Sequence, residues 1–244
     1  MYDNLKKRVV IITGGSKGIG LDLANSYQSA DYQVIVGSRN KPDQKDMDCK
    51  NIISIQGDVR NPSYHLKLVE QAMNEFGRVD AYINNAGISS WKPIEEVDED
   101  FLEMILSTNL KAAFWGCKAA ALVMKSGGNI INISSIAGKR GSSNNSAYCA
   151  SKFGMNGLTQ SLAKELGPRG IRVNAICPVL IPTPGLVEAL NNKNSPGNGD
   201  PFGFISTFAS NNAALKRLPT GTEVANMCFY LTSESASAVT GQCI

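Results

Sequence analysis

Arg8-Val9-Val10-Ile11-Ile12-Thr13-Gly14-Gly15-Ser16-Lys17-Gly18-Ile19-Gly20 is the stretch whose reading decides the fold class. Arg8 to Thr13 is a run of β-branched residues behind one arginine, as in a strand buried on both faces. Glycines follow at 14, 15, 18 and 20, and Ile19 to Ala30 has helical spacing. A strand, a glycine turn and a helix in that order let the backbone approach a pyrophosphate, and the helix N-terminus offers it unpaired N–H donors. The spacing is Gly14-x-x-x-Gly18-x-Gly20, not the Gly-x-Gly-x-x-Gly of the commonest dinucleotide fold. A glycine turn alone is weak evidence and gains weight only inside a chain of alternating strands and helices.

That alternation is present. Gln33–Gly37 reads as a second buried strand, Ser38 to Lys50 as a polar surface connection, and Asn51–Gln56 as a third strand. Asn61-Pro62 opens a helix that ends near Gly77, and Val79–Asn84 is a fourth strand. One long helix is expected from about Asp98 to Lys125, stopped by Gly127-Gly128. A fifth strand at Asn129–Ser134, a helix at about Ser146–Leu166 and a sixth strand at Ile171–Ile176 complete the series. The pattern predicts an α/β protein: a Rossmann-like, doubly wound parallel sheet in three layers, α/β/α. With no repeat or linker, residues 1–244 read as one nucleotide-binding and catalytic domain. Residues 178 to 220 are punctuated by six prolines, and about 184–218 reads as a substrate lid, against the alternative of a plain surface loop.

The end of the second strand selects the nucleotide. An NAD site usually places an acid there to take the ribose 2′-hydroxyl. Gly37-Ser38-Arg39 has none. Arg39 could pair with a 2′-phosphate, and Lys17 in the glycine turn could add a second charge, which favours NADP(H) over NAD(H). The competing reading is two solvated basic side chains. Asp58, beside Val59, is placed to hydrogen-bond an adenine amino group, and Asn84-Asn85-Ala86-Gly87 follows the fourth strand. Both lie where ligands of open α/β sheets bind.

Tyr148-x-x-x-Lys152 puts a phenol and an ammonium on one helix face, one turn apart. A charged lysine there would favour the phenolate and make the phenol a better acid and base near neutral pH. Ser135 could hydrogen-bond a substrate oxygen.

Together these residues resemble the short-chain dehydrogenase/reductase family, in its short single-domain branch, closest in pattern to 3-oxoacyl-carrier-protein reductase-like enzymes. The resemblance covers nearly the whole chain and rests on Thr13-Gly14-x-x-x-Gly18-x-Gly20, Asp58, Asn84 to Gly87, Asn109, Ser135, Tyr148-x-x-x-Lys152 and Pro178 to Thr183. It implies that Tyr148 is the general acid or base, and that Ser135 rather than Ser134 polarises the substrate oxygen. It implies that Lys152 binds the nicotinamide ribose and keeps Tyr148 acidic, and that Asn109 holds a water in a proton relay. It implies cofactor contacts from Gly14, Ser16, Lys17, Gly18, Ile19, Gly20, Arg39, Asp58, Val59, Asn85, Ala86, Gly87, Tyr148, Lys152, Pro178 and Thr183, the last toward the nicotinamide amide. Two departures stand out. Pro178-Val179 replaces the family's Pro-Gly, and the chain stops at Gly241-Gln242-Cys243-Ile244, short of the family's final strand and tail, which leaves a seventh strand in doubt.

The remaining features bound the function. A net charge of +3 is too small to argue for nucleic acid or an acidic membrane. No apolar run approaches the roughly 20 residues of a membrane span. Six scattered cysteines without a Cys-x-x-Cys pair read as reduced thiols, and the N-terminal residues carry no signal-peptide core, so the cytoplasm is the expected compartment. His65 is the only histidine, so no metal site is expected, and it reads as a surface residue. Cys149 reads as core or interface packing, and Trp91 as either pocket wall or surface. Phe202, Phe204 and Phe208 read as a lid underside or ordinary helix packing. The helices from Asp98 and Ser146 are apolar on more than one side, in keeping with a homotetramer or homodimer. The activity expected is hydride transfer between NADP(H) and a carbonyl or secondary alcohol, most simply a ketoreductase. An NAD-dependent alcohol or sugar dehydrogenase is the alternative, and a non-catalytic nucleotide sensor stands behind it.

Overall fold

A computed structural model of the chain describes residues 7–40 and 52–244. Six parallel strands form one sheet: β1 (Val9–Thr13), β2 (Gln33–Ser38), β3 (Ile52–Gln56), β4 (Ala81–Asn84), β5 (Asn129–Ile133) and β6 (Arg172–Ile176), in the order β3-β2-β1-β4-β5-β6. Alternation of side chains explains why β1 reads as a continuous apolar run. Val9 and Ile11 face one layer, with Leu68, Tyr82, Cys117 and Leu166; Val10 and Ile12 face the other, with Leu23, Tyr27, Val224 and Leu231. The first layer is built by α2 (Pro62–Phe76), α4 (Ala112–Val123) and α5 (Ser146–Leu166), the second by α1 (Gly18–Ser29) and α8 (Gly221–Thr232). Each fully buried isoleucine or leucine of this kind contributes about 1.5–3 kcal/mol, so the sheet is the rigid frame of the molecule.

Strand order reverses between β1 and β4. Thr13 lies opposite Gly37 of β2 on one side, and Ile12 lies opposite Ile83 of β4 on the other. The crevice at this switch point is the standard ligand position of a doubly wound sheet.

Several expectations need correction. The long helix from Asp98 is broken: α3 (Glu99–Leu106) passes through a π turn at Ser107–Lys111 before α4 begins. No glycine or proline marks the break, so spacing alone could not reveal it. Residues 178–220 are not wholly irregular. They hold α6 (Pro184–Leu190) and α7 (Pro201–Asn212), with Pro184 and Pro201 in the first turn behind the caps Thr183 and Asp200. These prolines mark helix starts, where the missing N–H costs nothing. His65 is fully buried rather than superficial, and Trp91 is buried too. Val179 does not adopt a left-handed backbone, so a β-branched residue is accommodated there without strain.

The doubtful seventh strand is a short pairing. Ala175 donates to the Gln242 carbonyl at 2.7 Å, Ile244 donates back to the Ala175 carbonyl at 2.9 Å, and one parallel bridge joins Ala175 to Cys243. The connection expected from Ser38 to Lys50 lies, beyond residue 40, outside the described residues, as does Cys49. Among the described residues no helix is long and apolar enough to cross a membrane.

Candidate active site

The sheet delivers the candidate residues by its topology. The Gly14–Gly20 turn follows β1, Arg39 follows β2, Asp58 and Val59 follow β3, and Asn85, Ala86 and Gly87 follow β4. Ser135 follows β5, and Pro178 to Thr183 follow β6. Every one of these lies at the carboxyl edge. Tyr148 and Lys152 reach it from the first turns of α5, and Asn109 from the π turn.

Thr13 locks the centre. Its hydroxyl accepts from the backbone N–H of Asn85 (3.1 Å) and Ala86 (3.2 Å), while the Asn85 amide donates to the carbonyls of Thr13 (2.9 Å) and Gly14 (3.2 Å). The glycine turn is thereby bolted to the loop after β4. Gly14 and Gly18 take φ of +69° and +54°, where a side chain would be strained. Ser16 and Ile19 are partly exposed along the turn. Lys17 occupies the N-cap of α1 without a side-chain cap, and no acid sits in the first turn, so the helix offers uncapped N–H donors. Thr183 packs against this turn, its γ-methyl 3.1 Å from where a Cβ on Gly18 would stand. These features fit a pyrophosphate.

At the adenosine end Arg39 and Lys17 are both exposed. Arg39 acts electrostatically on Asp58, whose carboxyl is held below its ordinary value chiefly by hydrogen bonds from Arg60. The Arg60 guanidinium lies 2.6 Å from that carboxylate. No carboxylate ends β2.

The candidate catalytic end is built around buried polar groups. The Asn109 side chain accepts from the Ile88 N–H (2.8 Å) and donates to the Ile88 carbonyl (2.9 Å) and Ser151 Oγ (3.2 Å). Lys152 is 4% exposed, and its Nζ donates to the Ile133 carbonyl at 2.8 Å. Nζ stands 5.7 Å from the Tyr148 ring centroid. A Cβ on Gly87 would come within 3.3 Å of Asn109 Oδ1 and 3.7 Å of Lys152 Nζ, so that glycine keeps the space between them open. The two serines separate: Ser134 Oγ points to the Lys152 carbonyl (3.3 Å), whereas Ser135 Oγ accepts from the Ala137 N–H (3.1 Å) and faces the Tyr148 phenol, whose pKa it lowers.

Burial pulls Lys152 down to about 8. Burial also raises the Tyr148 phenol above its ordinary value, and Ser135 opposes this in part. The spacing predicts a phenol pushed toward phenolate; loss of water around the ring is the largest influence here and points the other way. A protonated phenol facing a serine, beside an ammonium that holds its proton below about pH 8, can donate to a carbonyl oxygen.

A supporting network escaped the sequence reading. Asn84 donates to Asn132 (2.9 Å), Asn132 to Thr159 (2.9 Å), and Thr159 to the Met155 carbonyl (2.9 Å), which ties β4 and β5 to α5 beneath the catalytic end. Its signal was visible: asparagines inside strands otherwise buried on both faces must have partners. Among the described residues no cluster of metal-ligating side chains occurs.

Comparison with known proteins agrees with this fold. The short chain dehydrogenase family model matches residues 8–194. The chain is 34% identical to the L-2,3-butanediol dehydrogenase of Corynebacterium glutamicum, covering 96% of this chain and 95% of that protein. The ligand-free aldohexose dehydrogenase of Thermoplasma acidophilum superposes with a TM-score of 0.88 at 30% identity, covering 100% of this chain and 94% of that one. Actinorhodin polyketide ketoreductase, solved with NADPH, superposes with a TM-score of 0.86 at 26% identity, covering 98% and 95%. The chain belongs to the short-chain dehydrogenase/reductase family and is an oxidoreductase acting on CH–OH or C=O groups.

Proposed function

We propose that the chain is an NADP(H)-dependent carbonyl reductase. The observation that carries this reading is the convergence of Tyr148, Ser135, Lys152 and Asn109 on one edge of the sheet beside a glycine turn whose helix is uncapped. The turn and α1 hold the pyrophosphate, Asp58 and Val59 the adenine, and Asn85 to Gly87 with Pro178 and Thr183 flank the nicotinamide. The nicotinamide coenzyme supplies the hydride when bound.

The protein's own part is orientation and the proton. Ser135 hydrogen-bonds the substrate oxygen, and Tyr148 delivers the phenolic proton to that oxygen. Lys152, charged below about pH 8, stabilises the phenolate left behind. Asn109, rigidly bonded to Ile88 and Ser151, supports the route by which that proton is restored.

Arg39 and Lys17, with no acid at the end of β2, favour the 2′-phosphate. The segment at about 184–218 serves as the lid. It is joined to the loop before α5 by the Asn144 amide, which donates to the Asn194 carbonyl at 3.1 Å. Exposed apolar side chains on α3 to α5 (Leu102, Phe114, Leu122 and Phe153) suit a homotetramer or homodimer. Free thiols suit the cytoplasm.

An NAD-dependent alcohol or sugar dehydrogenase is the second reading, favoured by the names of the butanediol and aldohexose relatives. Purified protein should consume NADPH with small ketones, diketones or 3-oxoacyl thioesters. Consumption of NADH in clear preference to NADPH would overturn the cofactor assignment, and no turnover with either coenzyme would overturn the catalytic one.

A further inference from the structure

We propose that His65 is the positioning residue of the adenine-binding loop, its imidazole bridging the Val59 carbonyl and the Tyr82 hydroxyl so that the loop after β3 is fixed to β4. The proposal rests on the dinucleotide reading above and adds to it a residue outside the family motifs.

The loop needs such a device. Among the described residues β3 is an edge strand, paired only with β2, and Asp58 and Val59 lie just beyond its end. The first turn of α2 folds two rings back over this loop. Tyr64 donates its hydroxyl to the Ile55 carbonyl and lies where any side chain on Gly57 would collide with it. The His65 ring follows it, fully buried, with Nε2 2.7 Å from the Val59 carbonyl and Nδ1 2.8 Å from Tyr82 Oη.

The donor pattern is forced. A carbonyl can only accept, so the proton sits on Nε2, and unprotonated Nδ1 accepts from the Tyr82 hydroxyl. Tyr82 is itself fully buried in β4, in register with Ile11 and Ile130. One ring therefore refers the position of Val59 to the most rigid strands of the sheet. A hydrophobic side chain of similar size would fill the space but leave the Val59 carbonyl and the Tyr82 hydroxyl without partners.

The groups facing the imidazole are Tyr82 from β4, Tyr64 from α2 and the Val59 carbonyl. Cys117 of α4 lies beyond Tyr82, and Asp58 acts on the far side of Tyr64. Burial holds the ring neutral to below its ordinary value of 6.5. Protonation turns Nδ1 from acceptor into donor, so the buried Tyr82 hydroxyl must reverse its role and loses the ring as acceptor for its own proton, which weakens the bridge.

The test is a fluorescence titration of NADPH and NADH into the wild-type protein, His65→Leu and Tyr82→Phe from about pH 5 to 8, with kcat at saturating coenzyme measured alongside. His65→Leu should weaken coenzyme binding roughly fivefold to tenfold at neutral pH, about the effect of one lost buried hydrogen bond. Its kcat should stay within about twofold, and Tyr82→Phe should show a smaller loss of the same kind. Wild-type affinity should fall only at acid pH, once the ring's lowered pKa, below 6.5, is passed, and His65→Leu should lack that fall. Folded variants that bind as tightly as wild type, or share its pH profile, would overturn the proposal. Should His65→Leu not fold, Tyr82→Phe decides by the same criteria. A wild-type protein that binds neither coenzyme refutes the dinucleotide reading, and this proposal with it. Wild-type binding with unchanged variant affinity refutes the proposal alone.

Discussion

The two walls of the crevice are held in opposite ways. On one side, Asn109 and Lys152 are buried and bonded to the backbone of elements distant in sequence. On the other, α6 and α7 depend largely on local bonds: Thr183 caps Leu186, Asp200 caps Gly203, and Ser195 ties its own turn together. Phe202 on α7 and Leu215 beyond it are 69% and 77% exposed, whereas Phe204 and Phe208 are half-buried and pack against each other at 5.9 Å. Burial of either exposed side chain would contribute about 1.5–3 kcal/mol, and the second wall forgoes most of it. The contrast separates chemistry from selection. The groups proposed for catalysis are fixed from several directions, whereas the segment proposed as the lid is held mainly by its own turns.

The rigid wall carries a cost, and the largest expected effects lie there. Lys152 is a buried ammonium with a carbonyl as its recorded partner. Its depressed value means that stability is full only above the unfolded pKa of about 10.4 and is lost as pH falls toward about 8. Lys152→Met should remove that cost, about 3 kcal/mol at neutral pH, while kcat falls roughly 100- to 10,000-fold. Thermal unfolding and steady-state kinetics on one preparation check both directions. A variant less stable than wild type would break the claim that the wall trades stability for function.

Effects at the nucleotide edge should be smaller because the groups are exposed. Arg39→Ser should weaken NADPH roughly tenfold, the value of one charge-assisted contact, and leave NADH nearly unchanged; equal weakening of both coenzymes would remove Arg39 from the 2′-phosphate. Smallest should be Phe202→Ser on the loose wall. It should shift substrate KM a few-fold, by about the burial of part of one ring, and leave kcat and the unfolding temperature alone. A fall in unfolding temperature would show that this wall is held as tightly as the other.

The same contrast governs what was legible in the sequence. Strands buried on both faces and a glycine turn obey local rules, so the parallel sheet and the crevice could be read from Arg8 to Gly20 and the alternation after it. Pro184 and Pro201 start helices between 178 and 220, which spacing could not separate from loop prolines because a helix start and a loop use the same residue. Asn109 was found by resemblance, yet its π turn was hidden, since Ser107-Thr108-Asn109 has no breaker. His65 was the avoidable error: Tyr64, His65, Leu68, Val69 and Ala72 form a single buried stripe, and helical periodicity already placed the histidine on it. The direction of the Tyr148 shift was beyond sequence, because it depends on how much water two side chains lose.

The account stands most directly on Tyr148→Phe, which removes one oxygen and leaves the walls in place. Turnover should fall at least about a thousandfold, within the range of a lost general acid, while coenzyme affinity and unfolding temperature stay close to wild type. Turnover near the wild-type rate in a folded, coenzyme-binding Tyr148→Phe would contradict the account.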